Sequence, residues 1–157
     1  KGSQRVVIKG WFEQVLDDPN MQTTEWGTEI YPDGLRRGLI EVTRRYHLPI
    51  YITENGIGVA EDVSQGEVQD DYRIAFMKDH IAAIKAAQEA GADVRGYFVW
   101  STFDLYSWKN GCRKRYGLVA VDFENGYTRT PKKSYRWYRD FIAGEQTGKP
   151  YQEEGQR

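Results

Sequence analysis

The sequence predicts an α/β fold built on a parallel sheet, and three observations carry that prediction. Two short runs of β-branched and aromatic residues, 50–53 and 94–100, are apolar almost throughout, as strands buried on both faces are. Each run follows a longer stretch whose apolar residues recur at helical spacing, and a third such stretch comes after them. The resulting order of helix, strand, helix, strand and helix is that of parallel strands joined by helical crossovers. Two strands alone would leave both sheet edges open, so the chain reads as part of a domain.

The first thirty residues read as irregular, with a short strand or amphipathic turn over residues 5–16. A turn follows at residues 17–20, where Asp and Asn bond their own backbone and Pro19 fixes φ. Pro32 opens the first helix, whose apolar positions are Leu35, Leu39, Val42 and Tyr46. Pro49 closes that region, because a residue before proline is pushed out of the α region. The first strand then ends at Glu54-Asn55-Gly56, and a polar loop runs to about residue 69. The second helix shows one stripe of Ile74, Met77, Ile81 and Ile84, with Gly91 just past its end. After the second strand a long loop starts at Ser101 and carries a hairpin around residues 122–126. Pro131 precedes the last helix, with Tyr135, Trp137, Tyr138, Phe141 and Ile142, and residues 144–157 read as a polar, frayed tail.

Composition narrows the function classes. A chain of 157 residues with 39% hydrophobic and 14% aromatic content can build a core and is not a disordered polar chain. Its 22 basic and 23 acidic residues nearly cancel, which argues against a broad grip on nucleic acid or an anionic membrane. One cysteine, Cys112, excludes an intrachain disulfide framework. No apolar stretch is long enough to span a bilayer, and the opening residues do not read as a secretory leader. The sequence starts on Lys1 rather than Met, which reads as processing or as a piece of a larger protein.

Several residues carry chemistry by type and position. Glu54 stands at the C-terminal end of the first strand, where parallel α/β sheets gather ligands and catalytic groups. It suits a nucleophile or base, and a turn or helix-cap acid is an equal reading of the position alone. Trp100 takes the same end of the second strand and Trp108 lies on the loop behind it. Flat indoles at a pocket mouth suit the C–H faces of a sugar, although core packing is the commoner role of any one tryptophan. Residues 107–117 form a basic stretch in a neutral protein. There Ser107, Lys114 and Tyr116 offer two hydroxyls and an ammonium to a phosphate, where a solvated basic loop is the commoner reading of a charge cluster. His47 and His80 lack Cys or acidic partners at ligand spacing, so no metal site is expected. Cys112 has basic neighbours but no histidine to activate it, and takes no catalytic role.

These residues form a familiar pattern. Ile52-Thr53-Glu54-Asn55-Gly56 resembles the nucleophile strand of glycoside hydrolase family 1. Val99-Trp100-Ser101, Asp104, Trp108, Gly111, Arg115-Tyr116-Gly117-Leu118 and Val121-Asp122-Phe123 resemble its last barrel strand and the loop after it. Pro131-Lys132-Lys133-Ser134 with Trp137-Tyr138 resemble its final helix. Glu25-Trp26-Gly27 and Glu29-Ile30-Tyr31-Pro32 resemble the approach to the preceding helix. The resemblance covers nearly the whole chain and implies the C-terminal part of a (β/α)8 TIM barrel, about strands seven and eight with flanking helices, within one domain.

It also implies retaining hydrolysis of β-glycosides, with Glu54 as the nucleophile that forms a covalent glycosyl-enzyme. The family's acid/base sits in an Asn-Glu-Pro motif, which this sequence lacks, so the chain would hold half of the carboxylate pair. Ser107 stands where plain β-glucosidases of the family carry a sugar-binding glutamate. With Lys114 and Tyr116 it resembles the branch acting on 6-phosphorylated sugars. A glutamate beside the 6-position would repel phosphate, whereas a hydroxyl bonds it and a lysine neutralises it. Cys112 departs from a common tyrosine and Leu105 from a common asparagine. The resemblance thus implies a 6-phospho-β-glucosidase, with 6-phospho-β-galactosidase close behind because Trp108 suits either sugar. Its substrate would be a phosphorylated β-linked disaccharide or aryl glycoside, its partner the remainder of the barrel, and its location cytoplasmic. No metal or organic cofactor is implied. A non-catalytic carbohydrate-binding or interaction fragment is the rival reading.

Overall fold

A computed structural model describes residues 4–10, 12–16, 21–64 and 66–147. The turn expected at residues 17–20 and the tail beyond residue 147 lie outside the described residues. Strands β1 (Gln4–Ile8) and β2 (Phe12–Leu16) pair antiparallel, with Ile8 opposite Phe12. The single strand or amphipathic turn expected over residues 5–16 is therefore a hairpin. Gly10 makes its bend possible at φ +83°, a conformation that costs glycine little.

Helix α1 (Pro32–Tyr46) starts on proline and carries Asp33 in its first turn and Arg44 and Arg45 in its last, matching the helix dipole at both ends. It ends at His47, left-handed at φ +53°, whose N–H donates to the Thr43 carbonyl at 2.9 Å. His47 thus caps the helix. Strand β3 (Ile50–Asn55) runs farther than expected, so Glu54 lies within the strand. Helix α2 (Asp71–Glu89) then returns the chain to β4 (Val94–Val99), which pairs with β3 in parallel from Ile50 opposite Val94 to Asn55 opposite Val99. This is the predicted crossover unit. Neither strand pairs with a third among the described residues.

The loop after β4 holds more order than expected. Strands β5 (Val119–Val121) and β6 (Arg129–Pro131) pair antiparallel and bracket the predicted hairpin. The Asp122 carboxylate accepts the N–H groups of Glu124 and Asn125, each at 3.0 Å, which closes the turn. Helix α3 (Lys133–Thr147) continues into the tail expected from residue 144. Glu145 and Gln146 are good helix formers that extend a helix already packed through Trp137 and Phe141.

Two apolar clusters hold these pieces. Leu39, Ile84, Ala87, Ala92 and Val94 join α1 and α2 to the sheet, while Ile57, Ile74, Met77, Leu118 and Trp137 join α2 and α3 to the loops after the strands. Charge ties the same loops. Asp70, Arg73, Glu61, Lys132, Asp104 and Arg115 form a chain of ion pairs that alternates in sign. Its links are 2.9 Å for Asp70–Arg73, 2.6 Å for Arg73–Glu61, and 2.9 Å each for Lys132–Asp104 and Arg115–Asp104. Lys132 also pairs with Glu61. Every charge in the chain meets at least one opposite, as buried charges must.

Candidate active site

The ends of β3 and β4 meet. The Trp100 N–H donates to the Asn55 carbonyl at 2.9 Å, one step beyond the last strand pair. Gly56 follows immediately, and a Cβ there would lie 1.8 Å from the Trp100 carbonyl oxygen, so only glycine fits the approach. The Trp100–Ser101 peptide is cis. Glu54 is exposed beside this junction, and its carboxylate has no hydrogen-bond or ionic partner among the described residues.

Beyond Trp100 the chain folds into a cleft of about 300 Å³ lined by Trp100, Ser107, Trp108, Lys114 and Tyr116, among others. Five of the six residues singled out from the sequence therefore share one cavity. Glu54, the sixth, is not on its wall. Reciprocal backbone bonds of 2.9 and 2.8 Å join Ser107 and Gly111 into a tight loop that holds Trp108 at its tip, 98% exposed. The basic stretch then runs back as an extended segment. Arg115 and Val59 exchange backbone bonds of 2.8 and 3.1 Å, and the Arg115 side chain pairs with Asp104. In an extended chain alternate residues share a face. Lys114 and Tyr116 accordingly both reach the cleft, while Arg115 between them points into the ion-pair chain.

Lys114 is only 9% exposed. Its ammonium donates to the Thr28 hydroxyl at 3.3 Å and lies 5.8 Å from the Trp26 ring centroid and 5.4 Å from that of Tyr116. No carboxylate pairs with it among the described residues. Gly58 closes the other side: a Cβ there would meet the Tyr116 ring at 2.6 Å and the Lys114 Cε at 2.7 Å. Trp26, Thr28, Gly58 and Arg73 were not singled out for any role from the sequence. The Gly56-x-Gly58 spacing was the available signal for Gly58, since glycines two apart in a site loop mark close backbone approach.

Other candidates stand apart from this cavity. His80 is buried against Phe76, with ring centroids 3.8 Å apart, and burial holds its pKa below the ordinary histidine value. Cys112 is a partly exposed free thiol. Among the described residues no three His, Cys, Asp or Glu side chains come together to hold a metal. No helix among them is long and apolar enough to cross a membrane.

Glu54 lies within the strand pair and an indole-lined cleft opens beyond Trp100; comparison with known proteins supplies the class to which this arrangement belongs. The model of Glycosyl hydrolase family 1 matches residues 3–147, and the chain belongs to that family. It is 43% identical over 145 residues to a 6-phospho-beta-galactosidase of Streptococcus equi subsp. zooepidemicus, covering 91% of this chain and 30% of that protein. It is 44% identical over 144 residues to the aryl-phospho-beta-D-glucosidase BglC of Bacillus subtilis, covering 89% of this chain and 30% of that protein. Among solved structures, the beta-glucosidase of Thermotoga maritima in complex with glucoimidazole superposes with a TM-score of 0.78 at 35% identity, over 83% of this chain and 30% of that one. The psychrophilic beta-glucosidase BglU of Micrococcus antarcticus gives a TM-score of 0.78 at 36% identity, over 84% and 28%. The chain thus spans about 30% of the length of the curated relatives it matches.

Proposed function

We propose that this chain is the C-terminal part of a (β/α)8 barrel, about strands seven and eight, in a retaining 6-phospho-β-glycosidase, and that 6-phospho-β-glucosides are its preferred substrates. The carrying observation is Lys114: a buried ammonium facing a cleft with no carboxylate partner among the described residues. Burying a charge without its opposite is costly. A phosphate dianion in the cleft would offset that cost, and the hydroxyls of Ser107 and Tyr116 would complete its coordination. Trp100 and Trp108 would stack on the sugar.

In this reading Glu54 supplies the nucleophile. Its carboxylate oxygen bonds the anomeric carbon as the glycosidic C–O bond breaks. The leaving oxygen takes a proton from an acid contributed by the remainder of the barrel, and water then displaces Glu54 to release the sugar. Glu54 is exposed and has no partner among the described residues, which supports that role. The 6-phospho-β-galactoside reading has its own support, because the 43% identical relative from Streptococcus equi carries that name. The test is kcat/KM for 6-phosphorylated and plain aryl β-glucosides, in the enzyme that carries this chain within a complete barrel and in its Lys114→Ala variant. Loss of a charge-assisted hydrogen bond predicts a fall of about tenfold to a few hundredfold on the phosphorylated substrate, with far less effect on the plain one. Equal losses on both would overturn the phosphate reading, and a phosphogalactoside preferred over the phosphoglucoside would decide the sugar.

A further inference from the structure

The loop before α1 reaches into the same site. Residues 22–30 form a small antiparallel turn, with Thr23 bridged to Glu29 and the Thr24 N–H donating to the Thr28 carbonyl at 2.9 Å. The Glu25 carboxylate accepts the Ala60 N–H, which fastens this turn to the loop after β3. Its tip presents the Trp26 ring and the Thr28 hydroxyl to Lys114, which is 86 positions from Thr28 in the chain. The Trp26 ring also carries Arg113, whose guanidinium carbon lies 5.7 Å from the centroid.

Trp26 pays for this placement: its indole N–H is buried and has no hydrogen-bond partner among the described residues. Here the ring face is presented to cations while its N–H is left unmet. Resting on the phosphate reading above, we propose that Trp26 is a positioning residue for phosphate recognition, acting through Lys114. Its π-face holds the ammonium against the cleft wall together with Tyr116 and Thr28, so that the lysine stays desolvated and fixed when the anion arrives. Arg113 shares the ring and adds positive potential without lining the cleft.

The experiment uses the complete enzyme with 6-phospho and plain aryl β-glucosides. Trp26→Leu, Trp26→Phe and Thr28→Val are made in wild type and in Lys114→Ala, with rates expressed per active site titrated by a covalent glycosyl inhibitor. Trp26→Leu should lose about 3- to 30-fold in kcat/KM on the phosphorylated substrate, mainly through KM, and change the plain substrate less than about twofold. Trp26→Phe keeps a π-face and should recover most of that loss, and Thr28→Val should give a smaller loss of the same kind. In the Lys114→Ala background neither Trp26 variant should have a further effect, because the residue acts through that lysine. Additive losses in that background, or equal losses on both substrates, overturn the inference. So does failure of both Trp26 variants to fold, since the ring then serves the scaffold. A wild type that shows no preference for the phosphorylated substrate overturns the proposed function itself, which separates the two failures.

Discussion

The Arg73 guanidinium donates to the Tyr116 carbonyl at 3.0 Å and, through the same nitrogen, to the Ile57 carbonyl at 2.5 Å. One side chain from α2 thereby joins the loop that leaves Glu54 to the segment that carries Lys114 and Tyr116. Arg73 is almost wholly buried and pairs with Asp70 and Glu61. Removing one member of such a group strands the others. Arg73→Ala should therefore destabilise the protein by about 3–5 kcal/mol, whereas Arg73→Lys keeps the charge and costs less. Urea unfolding of the complete protein measures both, and a loss below about 1 kcal/mol for the alanine variant would contradict the buried network.

Glu54 offers the sharpest chemical test. In the proposed nucleophile role, Glu54→Gln preserves shape but could not attack, so kcat should fall by about four orders of magnitude while substrate still binds. Glu54→Gly leaves room for azide, which should attack from the vacated side and yield a glycosyl azide of inverted configuration. Product stereochemistry by NMR reads the result directly. Near-normal hydrolysis by the Gln variant would remove Glu54 from the mechanism.

Gly58 tests the packing behind the cleft. An added Cβ would sit within 2.7 Å of both the Tyr116 ring and the Lys114 side chain. Gly58→Ala should displace those two side chains and raise KM for phosphorylated substrates, with the plain substrate affected less. An unchanged ratio of the two kcat/KM values would show that the neighbours give way without leaving the site.

His80 sets a pH dependence. Burial depresses its folded-state pKa, so below the ordinary value of about 6.5 the unfolded chain binds the proton more readily than the native one. Its contribution to stability is complete above that pH and is lost as pH falls through the folded-state value. His80→Phe keeps the stacking on Phe76 and should flatten this part of the acid limb. Urea midpoints of both proteins across the acid range supply the comparison, and parallel curves would exclude the histidine.

The parts legible in the sequence are those with local signatures. The stripe of Ile74, Met77, Ile81 and Ile84 marks α2, and the apolar runs mark β3 and β4, because periodicity reports burial within a single element. Strand β5 spans Val119–Val121, too short to show a period. The hairpin of β1 and β2 lacks an Asn-Gly or Asp-Gly turn pair, and so read as a strand or turn. The strand-end reading of Glu54 and Trp100 rests on the parallel pairing of β3 and β4, which brings their C-terminal ends together. The contact of Lys114 with Trp26 and Thr28 has no such signature. It joins residues more than eighty positions apart, and a cation beside an aromatic face leaves no trace in local spacing. Nor does charge composition reveal that Arg73, Lys114 and Lys132 are buried while Lys109 is exposed.

The tight loop closed by Ser107 and Gly111 makes Trp108 an optical probe. Trp108 is in water while Trp137 is buried, so its indole should emit to the red of the Trp137 indole. A sugar or aglycone settling into the cleft would replace the water on one face of that ring and shift its emission to shorter wavelength. Occupancy of the cleft can therefore be titrated by light, without turnover and without a label.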